Sequence, residues 1–126
     1  MPETQTTAKK LQLKPGYVVR LIGATGELVA LVEPLPTGAI VSVDASELPD
    51  ACVMFVRDAA DLRERFATEL DGLRAAASVW VAYRKGNVID MNRNTIITES
   101  ERVGWQPVSN VSLGDEWSAV RIRTND

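Results

Sequence analysis

A chain of 126 residues with 45% hydrophobic and 25% charged residues has the length and composition of one ordinary globular domain. Its net charge of −3 argues against a nucleic-acid partner, because binding to nucleic acid needs a basic face. The sequence has no histidine and one cysteine, which excludes histidine-dependent nucleophile pairs, histidine metal sites and an intrachain disulfide.

The single cysteine and the hydropathy also bear on the compartment. Cys52 stands within an apolar run, where a small buried hydrophobic side chain is expected rather than a reactive thiol. A protein without disulfides is typical of a reducing compartment. No stretch approaches the roughly 20 apolar residues that a membrane span needs. We therefore expect a soluble cytoplasmic protein with neither a membrane partner nor a metal site.

The first part of the chain predicts a tail, a strand and a short helix. Residues 1–12 are expected to be a flexible tail, since the first ten are polar, and residues 13–126 are expected to form one domain. The β-branched run 17–22 predicts a strand. Thr25 is placed to cap the helix that follows, and prolines at positions 34 and 36 end it.

The next two hydrophobic runs, residues 39–43 and 51–56, predict the second and third strands. Residues 45–50 connect them. This connection contains Pro49 and has no helical period, so a full helix is not expected there.

The best-signalled helix follows Asp58, which is placed as its N-cap. An apolar stripe at helical spacing supports it; its members are Leu62, Phe66, Leu70 and Leu73. The opposite face is charged and is expected to be solvated. Asp61 and Arg65 on that face are spaced to form a weak ion pair.

The last third of the chain predicts a strand, a helix and a hairpin. The strand is the run 78–83, and the helix covers residues 92–103 and ends at Gly104. Residues 106–113 and 116–124 predict two strands of a β-hairpin.

Together these elements predict a three-layer α/β domain with a mostly parallel open sheet of about six strands that ends in an antiparallel hairpin. The expected spatial order of strands, numbered along the chain, is 2-1-3-4-6-5. Open α/β sheets bind ligands at the carboxyl ends of their strands, where the strand order reverses. The crevice between strands one and three is therefore the expected site.

Over residues 14–124 this order resembles a reduced, Rossmann-like class I methyltransferase fold. The resemblance gives Asp44, at the end of strand two, the position of the acid that holds a ribose in those enzymes. Two departures imply that catalysis has been lost. The turn at residues 23–26 lacks the family's tight G-x-G, and a helix and strand that should follow strand two are replaced by residues 45–50.

Five segments, in the same order, also resemble a small bacterial family catalogued as domain of unknown function 3052. The segments are Leu13-Lys14-Pro15-Gly16, Pro34-Leu35-Pro36-Thr37-Gly38, Val53-Met54-Phe55-Val56-Arg57, Trp80-Val81-Ala82-Tyr83-Arg84-Lys85 and Glu116-Trp117-Ser118-Ala119-Val120-Arg121. This resemblance implies no activity.

The predicted carboxyl edge collects the candidate ligand-binding residues. They are Gly23, Thr25, Gly26, Asp44, Arg57, Arg84, Lys85 and Trp117. The glycine turn offers backbone N–H groups to an anion at a helix start, and the basic residues offer charge to a phosphate or carboxylate. Trp117, at the hairpin tip, is placed to meet a ligand or another chain.

Plainer alternatives stand beside these roles. The glycine turn is also what any tight strand-to-helix connection needs, and basic residues at strand ends often pair with neighbours such as Asp58. Asp44 is suited to a turn as well as to a ribose. Asp115 and Glu116 are adjacent carboxylates without an identifiable partner, so no catalytic residue is assigned.

The sequence therefore predicts a non-catalytic methyltransferase-like domain that serves in interaction or regulation, with a homodimer possible through the outer hairpin strand or a helix face. The alternative is a binder of a small anionic or nucleotide-like ligand at the strand-end crevice. An active methyltransferase ranks third. No cofactor is identified.

Overall fold

The computed structural model of the chain describes residues 7–23, 25–33, 35–42, 49–85, 92–114 and 116–124. Within these ranges six strands form one sheet in the order β2-β1-β3-β4-β6-β5. The strands are β1 Val18–Ile22, β2 Ile40–Ser42, β3 Ala51–Phe55, β4 Ser78–Arg84, β5 Trp105–Ser112 and β6 Trp117–Thr124. Strands β1 to β4 run parallel, and β6 pairs antiparallel with both β4 and β5. The predicted fold class and strand order are confirmed.

Four α-helices are described, and those at residues 26–32 and 59–69 begin directly after the predicted caps Thr25 and Asp58. The helices are α1 Thr7–Lys10, α2 Gly26–Val32, α3 Ala59–Glu69, which continues into a 3₁₀ turn Leu70–Leu73, and α4 Arg93–Arg102. Asp58 caps α3 by accepting the Asp61 N–H at 2.8 Å, and Asn92 with Thr95 forms a capping box on α4. Thr25 stands at the N-cap of α2 without a side-chain capping bond. No described helix has both the length and the apolarity to span a bilayer.

Two hydrophobic layers enclose the central strands. On one face, residues of β3 and β4 pack with the α3 stripe and with Ile96 of α4. On the other face, the alternate residues of the same strands pack with Val32 of α2 and with Leu11 and Leu13. All five residues of β3 are buried, as expected of a parallel strand covered on both faces. The three-layer arrangement follows from this double burial.

The amino ends of three strands are tied together by Asp50. Its carboxylate accepts the Val18 N–H at 2.8 Å, and its own N–H donates to the Val18 carbonyl at 2.8 Å. Its carbonyl accepts the Ala77 N–H at 2.7 Å. One residue of the short β2–β3 connection thus holds β1, β3 and β4 together opposite the carboxyl edge.

Two features differ from the expectations of the sequence. Asp61, expected on a solvated helix face, is only 8% exposed. Its carboxylate accepts the Arg57 backbone N–H and pairs with the side chains of Arg57 and Arg65. Leu11, which falls in the expected tail of residues 1–12, is fully buried. Its carbonyl accepts the Trp80 indole N–H at 3.0 Å, so this residue belongs to the core.

The free thiol of Cys52 is buried in β3. Burial raises its pKa to about 12, and Glu69 adds to this shift while Arg20 opposes it. Arg20 and Glu69 form an ion pair of 2.9 Å. Since the thiolate is the nucleophile, the native thiol is inert.

We expect iodoacetamide to leave Cys52 unmodified in the native protein near neutral pH and to modify it fully in denaturant. Mass spectrometry of timed samples gives both rates. Modification of the native protein at the rate of an unfolded thiol would contradict the burial of Cys52.

Candidate functional site

A cleft of about 400 Å³ lies at the carboxyl ends of β1, β3 and β4, beside α2 and the tip of the β5–β6 hairpin. Its walls come from four separate parts of the chain. The lining residues are Gly23, Thr25, Glu27, Leu28, Phe55, Val56, Arg57, Arg84, Glu116 and Trp117. This volume lies within the range of small-ligand sites, and its position is the edge at which open α/β sheets bind ligands.

The apolar part of the cleft is built around Phe55 and Trp117. Their rings meet edge to face, with centroids 5.4 Å apart and planes at 84°, a favoured aromatic geometry. The Arg84 guanidinium carbon lies 5.7 Å from the centroid of the Trp117 ring, within cation–π range. Arg84 Nη2 is also 4.0 Å from Glu116 Oε1. The hairpin tip therefore supplies an aromatic surface with a paired cation above it.

The β1–α2 turn reaches the cleft through Gly23. Its φ of +74° is in the left-handed region, and the register of Ile22 with Met54 sets it beside Phe55. A Cβ at this position would lie 2.5 Å from the Phe55 carbonyl oxygen, which is too close for any side chain. Glycine is required here by both conformation and space.

Arg57 of the cleft lining shares the carboxylate of Asp61 with Arg65, and these last two residues lie outside the lining. Asp61 Oδ2 accepts the Arg57 backbone N–H at 3.0 Å and lies 3.7 Å from Arg57 Nε. Asp61 Oδ1 lies 3.5 Å from Arg65 Nε. One buried carboxylate thus holds two guanidinium groups beside the β3 carboxyl end.

Five of the eight predicted site residues line the cleft, namely Gly23, Thr25, Arg57, Arg84 and Trp117. Gly26 instead begins α2. The Lys85 ammonium donates to Ser112 Oγ at 2.6 Å and to the Gly114 carbonyl at 2.8 Å, so it ties β4 to the hairpin. Asp44 lies outside the described residues.

Sequence reasoning did not name five of the lining residues as ligand-binding candidates, and it also missed Arg65 beside Gly23. The five are Glu27, Leu28, Phe55, Val56 and Glu116. Phe55 and Leu28 carry only the signal of core residues, because alternation cannot show that a buried ring also faces an opening. Arg65 carried a usable signal: it is one helical turn after Asp61, on the helix that leaves the β3 carboxyl end.

Among the described residues, no three histidine, cysteine or acidic side chains lie close enough together to hold a metal ion.

Comparison with protein families gives a match over residues 8–126 to the family described as protein of unknown function, DUF3052. The chain belongs to this family. The resemblance drawn from five sequence segments is thereby confirmed. No curated protein matches the sequence significantly.

Solved structures of similar fold come from larger proteins. The M1A22 tRNA methyltransferase TrmK of B. subtilis has a TM-score of 0.62 at 14% identity, covering 96% of this chain and 64% of that one. A protein of the NADB-Rossmann superfamily from Streptococcus agalactiae has a TM-score of 0.59 at 6% identity, covering 98% and 69%.

A putative tRNA (m1A22) methyltransferase of Streptococcus pneumoniae has a TM-score of 0.57 at 10% identity, covering 94% of this chain and 67% of that one. It has also been solved in complex with S-adenosyl-L-methionine. The DUF3052 chain thus spans about two thirds of these proteins, and at such identities the likeness shows a methyltransferase-like fold alone.

Gly23→Ala should lower the free energy of unfolding by about 3 kcal/mol, because the left-handed backbone is strained and the new methyl group overlaps the Phe55 carbonyl. Denaturant titration measures this change.

Gly26→Ala is the matched control in the same turn. Nothing lies within 4 Å of the position of its Cβ, and alanine favours the first turn of α2, so stability should be unchanged or slightly higher. Equal stability of the two variants would contradict the close approach at Gly23.

Proposed function

We propose that this DUF3052 protein binds a small nucleotide-like anion in the cleft at the carboxyl ends of its strands. The observation that carries the proposal is the combination in one cleft of an aromatic surface, Trp117 packed on the buried Phe55, with two guanidinium groups, Arg57 and Arg84. Flat rings gain from contact with aromatic surfaces, and guanidinium groups bind phosphate and carboxylate in a planar, directional way. A nucleotide carries both kinds of group.

The exposure of the two arginines supports this assignment. The Arg57 side chain is 86% exposed and that of Arg84 is 50% exposed, so both can reach a ligand without unfolding the core. The Phe55 ring is fixed by its position in β3 and is 2% exposed. The cleft therefore has a rigid floor and adaptable cationic ends, which favours binding with little reorganisation.

We further propose that binding serves regulation or interaction rather than catalysis. The chain has no histidine, and its one thiol is buried away from the cleft with a raised pKa. Of the two carboxylates in the cleft, Glu116 is paired with Arg84. This leaves little for acid–base or nucleophilic chemistry.

A homodimer and a cytoplasmic location stay predictions from the sequence. The outer hairpin strand β5 exposes Val108, but Pro107 and an irregular register between Pro107 and Ser109 interrupt it. Such an interruption disfavours pairing of one edge with another.

The ligand panel consists of nucleoside 5′-monophosphates, their nucleosides and S-adenosyl-L-methionine, the last because the S. pneumoniae protein of similar fold was solved with it. We expect at least one nucleotide to raise the melting temperature of the full chain, since a ligand of the native state stabilises it. Trp117→Ala should weaken binding by about tenfold or more, as loss of an aromatic contact costs about 1–3 kcal/mol.

Arg74→Ala is the control, because this side chain lies just before β4, at the opposite edge of the sheet, where it pairs with Asp71 at 3.7 Å. It should bind as the wild type does. Absence of any stabilising ligand, or equal binding by the Trp117 variant, would overturn the proposed site. Repeated turnover of S-adenosyl-L-methionine by the purified protein would overturn the non-catalytic role.

A further inference from the structure

Asp61 is a buried carboxylate that is shared by two guanidinium groups, so the cluster carries one more positive than negative charge. Arg57 approaches its Oδ2 with both backbone N–H and Nε, and Arg65 approaches its Oδ1. The carboxylate of Asp58 is engaged in capping α3 through the Asp61 N–H. Each guanidinium has five N–H donors, more than a single shared carboxylate can use.

Arg65 lies next to one residue of the cleft lining, Gly23. Its Nη2 lies 3.9 Å from the position that a Cβ on Gly23 would occupy, and its side chain is 34% exposed. The Arg65 guanidinium is therefore close to Gly23, a residue of the cleft lining. Arg57, in the cleft lining, lies on the other side of the same carboxylate.

Arg84 differs from these two arginines in its surroundings. Its guanidinium is over the Trp117 ring and near Glu116, so it belongs to the aromatic end of the cleft. A guanidinium stacked on a ring and paired with an acid is already largely compensated. The two ends of the cleft are thus chemically distinct.

We propose that Arg57 and Arg65 form the subsite for the ligand's anionic group, a phosphate or carboxylate, beside Gly23, with Asp61 as the positioning residue that holds both guanidinium groups. The flat part of the ligand then lies toward Trp117 and Arg84. This inference rests on the proposed function. It adds Arg65 to the ligand-binding residues and states in which direction the ligand lies in the cleft.

The test compares each nucleoside 5′-monophosphate with its own nucleoside by calorimetry. In the wild type the phosphate should improve affinity, and Arg65→Ala should reduce this preference about tenfold, the effect of losing a charged hydrogen bond, while affinity for the nucleoside stays unchanged. Arg57→Ala should act likewise. Trp117→Ala should weaken nucleoside and nucleotide together, and Arg74→Ala neither.

The variant Asp61→Asn distinguishes two roles of Asp61, namely the positioning of the two guanidinium groups and the repulsion of an anionic ligand by its negative charge. Removing a negative charge alone would strengthen binding of an anion, whereas loss of positioning weakens it, and we expect the phosphate preference to fall. Circular dichroism and denaturant titration verify that each variant is folded. A phosphate preference that is unchanged in Arg65→Ala, or higher in Asp61→Asn, would overturn the inference and leave the proposed function standing. Failure of the wild type to bind any nucleoside or nucleotide would refute both.

Discussion

The close approach of the β1–α2 turn to strand β3 is the contact on which the cleft depends. Gly23 has a backbone that only glycine adopts without strain, and its Hα side faces the Phe55 carbonyl where a Cβ would stand at 2.5 Å. A larger residue would separate β1 from β3 at the point where the strand order reverses. The cleft floor, Phe55, and the start of α2 are both positioned by this contact.

The opposite edge of the sheet shows how a reduced fold keeps its parallel order. Parallel strands ordinarily need a crossover of a dozen or more residues. Here β2 ends at Ser42 and β3 begins at Ala51, so only residues 43–50 connect them. Asp50, the last residue of this connection, stabilises the start of β3 by hydrogen bonds to Val18 and Ala77. The short connection therefore ends at the amino edge of the sheet, away from the carboxyl edge and its cleft.

Most of the fold could be predicted from local signals. Four β-branched runs, an apolar stripe from Leu62 to Leu73 and an N-cap at Asp58 each specify one element, and their order leaves few topologies. The burial of Asp61 could not be predicted this way, because helical periodicity places it among exposed charges. Its partner is the Arg57 backbone, whose direction is set by the end of β3. The burial of Leu11 was not predicted, because this residue directly follows a polar segment and carries no periodic signal of its own. Its contact with Trp80 is visible only in the folded chain.

The position of the cleft was predictable from the sequence, but the composition of its lining was less so. Strand ends identified Gly23, Arg57, Arg84 and Trp117, since parallel strands finish at a common edge. Side-chain direction decided the rest. Lys85 follows Arg84, the last residue of β4, but its ammonium donates to Ser112 and Gly114 of the hairpin. Arg65 is in the second turn of α3. It was not predicted, because only residues directly at the strand ends were considered as candidates.

The three tryptophans offer a direct measurement of where a ligand binds. Trp80 and Trp105 are buried, whereas Trp117 lines the cleft. Indole N–H signals in a ¹H–¹⁵N spectrum, assigned with single Trp→Phe variants, can be followed while the tightest-binding nucleotide is added. We expect a saturable shift that is largest at Trp117. A ligand that binds while the largest shift falls on Trp105, or while the Trp117 signal does not move, would contradict binding in this cleft.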